Sequence, residues 1–138
     1  MPDMRQSTLL RGLEAAIGYG GVDLAQIFTD DVVGWSPTLS VSSRAELEKE
    51  FAGREDALSN ISVALVHCDV IDSRAIAEWR FSADHTGPLT IDEEVLPPTG
   101  RRVMLAGATF ADFRDNKICS FRHYFDDAAL LEQMLDLA

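Results

Sequence analysis

The sequence predicts an α+β fold in which a curved sheet of long antiparallel strands wraps around helices and encloses a pocket. Three observations predict it. Apolar residues recur at helical spacing through the first half, long β-branched or alternating runs fill the second half, and one more helical segment closes the chain. With 138 residues, 46% hydrophobic and 25% charged, the chain is expected to form one domain over residues 1–138 with a real core.

The elements follow in order. Leu9, Leu10, Leu13, Ala16 and Ile17 mark the first helix, which ends in Gly18-Tyr19-Gly20-Gly21. That cluster reads as a helix stop and not a phosphate loop, because no Lys-Ser/Thr follows it and no strand precedes it. Asp23 and Gln26 have capping-box spacing for a short helix through Phe28. Asp30 and Asp31 are expected to turn the chain into a short strand, Val32 to Trp35, stopped by Pro37. Ser43 and Glu46 repeat the capping-box pattern and open a helix whose Ala45, Leu47 and Phe51 can face inward.

Strands are expected over 61–71 and 74–83, then an acidic connection bounded by Gly87-Pro88 and Pro97-Pro98-Thr99-Gly100. Within it, Asp92-Glu93-Glu94 reads as a solvated loop. Val103–Phe113 is the next strand, and Asp115-Asn116-Lys117 is a tight turn into Ile118–Phe125. Asp126 reads as the cap of a last helix, Asp127 to Leu137, that buries Leu130, Leu131, Met134 and Leu135.

Twenty-three acidic against 12 basic residues give a formal net charge of −11, with the basic residues scattered from Arg5 to Arg122. Phosphate backbones and anionic membrane surfaces are therefore not expected partners. No stretch approaches the roughly 20 apolar residues of a membrane span. The start, MPDMRQSTLLRGLEAAIG, lacks a signal-peptide pattern, so a cytoplasmic location is expected. Cys68 and Cys119 sit in apolar, β-branched stretches without CxxC spacing and read as reduced core residues, a structural disulfide being the less favoured reading. His67, His85 and His123 lack ligand spacing, so no metal is expected. No nucleophile-elbow sequence occurs.

The motifs of the second half resemble a family. His85-Thr86-Gly87-Pro88-Leu89, Pro97 to Arg101, Asp115 to Ile118, and Phe121-Arg122-His123-Tyr124-Phe125-Asp126 together look like the SnoaL-like polyketide cyclases. They are also similar to the limonene-epoxide-hydrolase group of the same nuclear-transport-factor-2-like superfamily, and Ile27-Phe28-Thr29-Asp30-Asp31 fits it too. The resemblance implies a cone-shaped, mixed/antiparallel sheet with helices on its concave side, an apolar cavity, no cofactor, and commonly a dimer. It is weak on the reaction, because the fold hosts cyclases, isomerases, epoxide hydrolases and binders.

Carried over residue by residue, the acid/base aspartate of the cyclases and epoxide hydrolases falls on His123. The arginine–aspartate pair of the epoxide hydrolases falls on Arg80 and Ser82. The ketosteroid-isomerase base falls on Ser36, its oxyanion-hole aspartate near Thr109, and its helix-one tyrosine near Gly12 or Leu13. All three isomerase groups are missing, so steroid isomerisation is not expected.

His123 is the leading catalytic candidate, since imidazole, with an unperturbed pKa of about 6.5, can take and give a proton near neutrality. The competing reading is a strand histidine satisfied by a backbone carbonyl. On the family register, Glu78, Arg80 and Ser82 share the cavity face, where Arg80 could hold an enolate or a carboxylate; the alternative is a strand salt bridge. Trp79 and Phe81 then fall on the outer sheet face, which a two-fold dimer would cover. His85 is a second-tier candidate at a turn. Trp35 and Tyr19 would suit a pocket wall, and Phe121 and Phe125 share parity with His123. The expected function is a cofactor-free polyketide-type cyclase acting on a small hydrophobic substrate. Epoxide opening, with His123 activating water and Arg80 orienting it, and ligand binding without catalysis are the alternatives.

Overall fold

A computed structural model of the chain describes residues 4–18, 22–52, 56–91 and 94–135. The helical spacing of Leu9 and Leu13 forms α1 (Met4–Ala16), with both side chains buried. Just beyond it Gly18 adopts a left-handed φ of 91° and donates its N–H to the Ala15 carbonyl, a conformation that a side chain would strain. Tyr19, Gly20 and Gly21 lie outside the described residues. Asp23 caps α2 (Leu24–Ile27) by accepting from the Ala25 N–H at 3.0 Å, while the Gln26 side chain accepts from Arg11 and leaves the box half made.

β1 (Phe28–Ser36) starts four residues earlier than the sequence indicates. Asp30 and Asp31 do not turn the chain; they lie exposed on this strand and pair with Arg44 and Arg114. Past the Pro37 turn the chain folds back as β2 (Leu39–Val41). α3 (Arg44–Ala52) opens with both halves of a capping exchange. Ser43 Oγ accepts from the Glu46 N–H at 3.1 Å, and the Glu46 carboxylate accepts from the Ser42 N–H at 2.9 Å. Leu47 and Phe51 are buried, but Ala45 is exposed.

β3 (Leu58–Ile71) and β4 (Arg74–His85) form a long hairpin. The acidic connection contains a small hairpin of its own, β5 (Leu89–Ile91) and β6 (Glu94–Leu96), which three-residue strands are too short to announce; Asp92 and Glu93 lie outside the described residues, and Glu94 is exposed. β7 (Arg102–Arg114) and β8 (Lys117–Phe125) follow. Their two-residue turn holds Asp115 and Asn116 at φ of 52° and 64°, the conformation that matches strand twist in a tight hairpin. Asp126 accepts from the Ala129 N–H at 3.1 Å and so caps α4 (Asp127–Leu135). The Gln133 amide exchanges two hydrogen bonds of 2.8 Å with the Met104 backbone, tying α4 to β7.

The main sheet has six strands in the order β2-β1-β8-β7-β4-β3. Among the described residues β1 and β8 run parallel, and the other neighbouring pairs of this sheet are antiparallel. Side chains on β4 alternate strictly: Ala75, Ala77, Trp79, Phe81 and Ala83 are buried, and Glu78 and Arg80 are exposed. This inverts the expected register. Trp79 and Phe81 belong to the core, not to the outer surface, because burying their rings releases far more water than burying a guanidinium, which keeps its hydration outside. The outer face instead carries Trp35, Phe110 and Tyr124, with ring centroids 5.3 Å (Trp35–Tyr124) and 6.1 Å (Phe110–Tyr124) apart. Cys68 and Cys119 are half-buried and not joined in a disulfide. No helix among the described residues is long and apolar enough to cross a membrane.

Candidate active site

The concave side of the sheet and the helices enclose a cavity of ≈ 560 Å³, a size typical of small-molecule sites. Its wall is mainly apolar: Leu13 of α1 and Ile17 just after it, Phe51 of α3, Trp79 and Phe81 of β4, Leu105 of β7, Phe125 of β8 and Met134 of α4. Few polar side chains interrupt it. Ser36, Thr38, Thr90 and His123 contribute hydroxyls and one imidazole, and Lys49 and Glu50 bring charge from the exposed side of α3. Ser36 Oγ is already engaged, accepting from the Thr38 N–H at 3.2 Å.

His123 is 9% exposed and lines this cavity. Phe121 and Thr109 hold it directly. Its ring stacks on Phe121 at a centroid distance of 4.6 Å, and its Nδ1 lies 2.7 Å from Thr109 Oγ1. Thr109 Oγ1 in turn accepts from the Trp79 Nε1–H at 2.9 Å. Register explains the contacts: Ala77, Thr109 and His123 are direct cross-strand partners on β4, β7 and β8, and Trp79 reaches Thr109 diagonally. Two glycines make room. A side chain at Gly34 would collide with the Phe121 ring, and one at Gly107 with the Trp79 indole. Glycine inside a strand pattern signals close approach of this kind, and it was the available sequence clue to the Trp79 contact.

The other sequence candidates divide. Phe125 lines the cavity, and Phe121 and Thr109 lie buried behind His123 instead of on the wall. Arg80 and Glu78 are on the opposite face and exposed. Ser82 is on that face too, accepting from Arg102 at 2.9 Å, so the Arg80–Ser82 pair does not reach the cavity. Trp35 is 41% exposed on the outer face against Tyr124; its neighbour Ser36 takes the inward position. Tyr19 lies outside the described residues.

His85 is not a solvated turn residue. It is 0% exposed at the end of β4 and outside the cavity wall. Its Nδ1 lies 3.1 Å from Thr99 Oγ1, while Nε2 is buried without a hydrogen-bond partner among the described residues. Burial pushes its pKa below the ordinary imidazole value, and the Gly87 backbone offsets this only in part. Among the described residues no three His, Cys, Asp or Glu side chains come together as a metal site.

The profile of the SnoaL-like polyketide cyclase family matches residues 8–134. The chain belongs to that family. Solved structures of the same shape include a candidate SnoaL-like polyketide cyclase from Jannaschia sp. CCS1, with a TM-score of 0.78, 16% identity, and 95% of this chain and 91% of that one covered. A candidate polyketide cyclase from Acidithiobacillus ferrooxidans gives 0.77 at 14% identity, covering 100% and 99%. A candidate isomerase from Rhodopseudomonas palustris gives 0.76 at 18% identity, covering 99% of both. At such identities these neighbours speak for the fold. No curated protein sequence matches the chain significantly.

Proposed function

We propose that this SnoaL-like protein is a cofactor-independent cyclase that folds a small poly-β-carbonyl substrate in its cavity, with His123 as the reacting acid/base. The carrying observation is His123 on the wall of a ≈ 560 Å³, mainly apolar cavity. It also falls where the resemblance puts the acid/base aspartate. C–H bonds between two carbonyls are acidic, so ring closure needs one group to manage a proton and a wall to bring the reacting carbons together. Fitting the chain into the cavity supplies proximity, which removes much of the barrier by itself. In the aldol-like closure a proton leaves the nucleophilic carbon, a carbon–carbon bond forms, and the new alkoxide is protonated. The balance is closed within the substrate and water.

The epoxide-opening alternative loses its support, because Arg80 and Ser82 lie outside the cavity and cannot orient water for His123. A binding protein without turnover is the remaining contrary outcome. A poly-β-carbonyl thioester mimic tests the reading. His123→Ala should lower turnover by about 10²–10⁴-fold with little change in binding, and His123→Asp should recover part of it. Full activity in His123→Ala would overturn the reading, and binding without any turnover by the wild type would make the protein a carrier.

The expected pairing of two copies moves to the exposed cluster of Trp35, Phe110 and Tyr124, now that Trp79 and Phe81 are placed inside. Sedimentation should show a dimer at micromolar concentration that Tyr124→Glu weakens; a monomeric wild type would refute it.

A further inference from the structure

We infer that Thr109 is a positioning residue: committed by the Trp79 N–H, its hydroxyl fixes neutral His123 as the tautomer protonated on Nε2, so the imidazole acts on substrate oxygen. This rests on the reading of His123 as the reacting group, and it gives that group hydrogen-bond donation to substrate oxygen in place of proton transfer.

The argument is an inventory of donors. The indole Nε1 of Trp79 can only donate, so Thr109 Oγ1 accepts there, at 2.9 Å. Among the described residues, the other partner of that hydroxyl is His123 Nδ1, at 2.7 Å. Thr109 is 0% exposed, so water does not supply a third. If Nδ1 carried the imidazole hydrogen, Oγ1 would accept twice and the threonine's own hydrogen would be buried without an acceptor. If Nδ1 is bare, the hydroxyl donates to it and every hydrogen is used. The unmade bond in the first arrangement disfavours it by about fivefold to 150-fold in population.

The second arrangement places the imidazole hydrogen on Nε2. A neutral imidazole in that state can only donate at Nε2, with no lone pair there to take a C–H proton, and His123 lines the cavity. It therefore polarises the carbonyl that is attacked and stabilises the alkoxide that forms. The carbon's proton leaves to water, and an equal proton returns from water to the alkoxide. His123 ends the cycle in the tautomer in which it began, and no electrons are gained or lost. The stack on Phe121, for which Gly34 leaves room, holds the ring plane that aims this donor.

Nitrogen-15 NMR of the histidine-labelled full chain tests the assignment without any assay of turnover. In the wild type above neutral pH, His123 should give a protonated Nε2 and an unprotonated, hydrogen-bonded Nδ1, the other tautomer staying below about one fifth. Thr109→Val should move the Nδ1 signal toward that of an unbonded nitrogen, and Thr109→Ser should return it. If Thr109→Val does not fold, Trp79→Phe, which removes only the committing N–H, should raise the Nδ1-protonated share. A wild type protonated on Nδ1, or an Nδ1 signal indifferent to Thr109→Val, overturns the inference. On turnover, Thr109→Val should lower kcat with KM held and Thr109→Ser should restore it; a change in KM alone would make Thr109 a substrate contact and also overturn it. Full activity in His123→Ala, by contrast, removes His123 from the reaction while leaving the tautomer measurement to stand or fall on its own.

Discussion

On the concave face of the sheet, Trp79, Thr109 and His123 are joined by hydrogen bonds of 2.9 and 2.7 Å beneath a cavity wall. One residue away along the same strands, Arg80, Phe110 and Tyr124 stand on the convex face, exposed. Both faces carry aromatic rings and a polar or charged group, so residue type alone does not separate them. What separates them is the cover of helices. Under α1, α3 and α4 a polar atom must find a protein partner, which orders it and fixes its protons. On the open face water serves equally well, and Arg80 has no such constraint. The same alternation that makes a strand amphipathic thus turns adjacent residues into a built site and a solvated surface.

The comparison predicts unequal costs for neighbouring substitutions. Phe81→Ala, on the covered face, should destabilise the fold by about 3 kcal/mol, the low end for a buried phenylalanine because part of its ring already borders the cavity. Chemical denaturation measures it, and a loss below about 1 kcal/mol would place the ring at the surface. Gly34→Ala should cost about 1–3 kcal/mol by overpacking against Phe121. It should also reduce turnover, since Phe121 carries the His123 ring; a neutral change would mean that Phe121 repacks freely.

A buried imidazole outside the site supplies a control within the covered region. The folded chain binds a proton at His85 less readily than the unfolded chain, so this group's contribution to stability is complete above about pH 6.5 and is lost as pH falls below it. Melting temperature should fall on acidification through that point, and His85→Gln should flatten the slope. An unchanged slope would assign the acid sensitivity elsewhere. The smallest effect belongs to the open face: Arg80→Ala should alter stability by no more than about 0.5 kcal/mol and leave turnover unchanged. A loss of binding would return Arg80 to the site.

Much of this was legible before the structure. The Ser43–Glu46 exchange, the Asp115–Asn116 turn and the Asp126 cap follow from local hydrogen bonding that the sequence states directly. The shared parity of Phe121, His123 and Phe125 follows from the two-residue period of a strand. The start of β1 is not legible in the sequence, because Asp30 and Asp31 look like a turn until their distant partners Arg44 and Arg114 are known. On β4 the register implied by the resemblance opposes the hydrophobic alternation, and the structure follows the alternation, because five apolar residues on one side outweigh one family position. Trp35 and Ser36 reverse the usual rule for a tertiary reason: the serine faces a cavity, and the tryptophan has Tyr124 beside it. His85 is buried by residues far along the chain, Thr99 and the Gly100–Arg101 backbone, which local context cannot foretell.

The division between the two faces is tested most directly by a crystal structure of the protein soaked with a ring-closed polyketide-like product. The account predicts the ligand inside the cavity against Trp79 and Phe81, with one of its oxygens about 2.6–3.2 Å from His123 Nε2. A ligand seated on the convex face near Arg80, or one inside the cavity with His123 turned away from every polar atom, would contradict it.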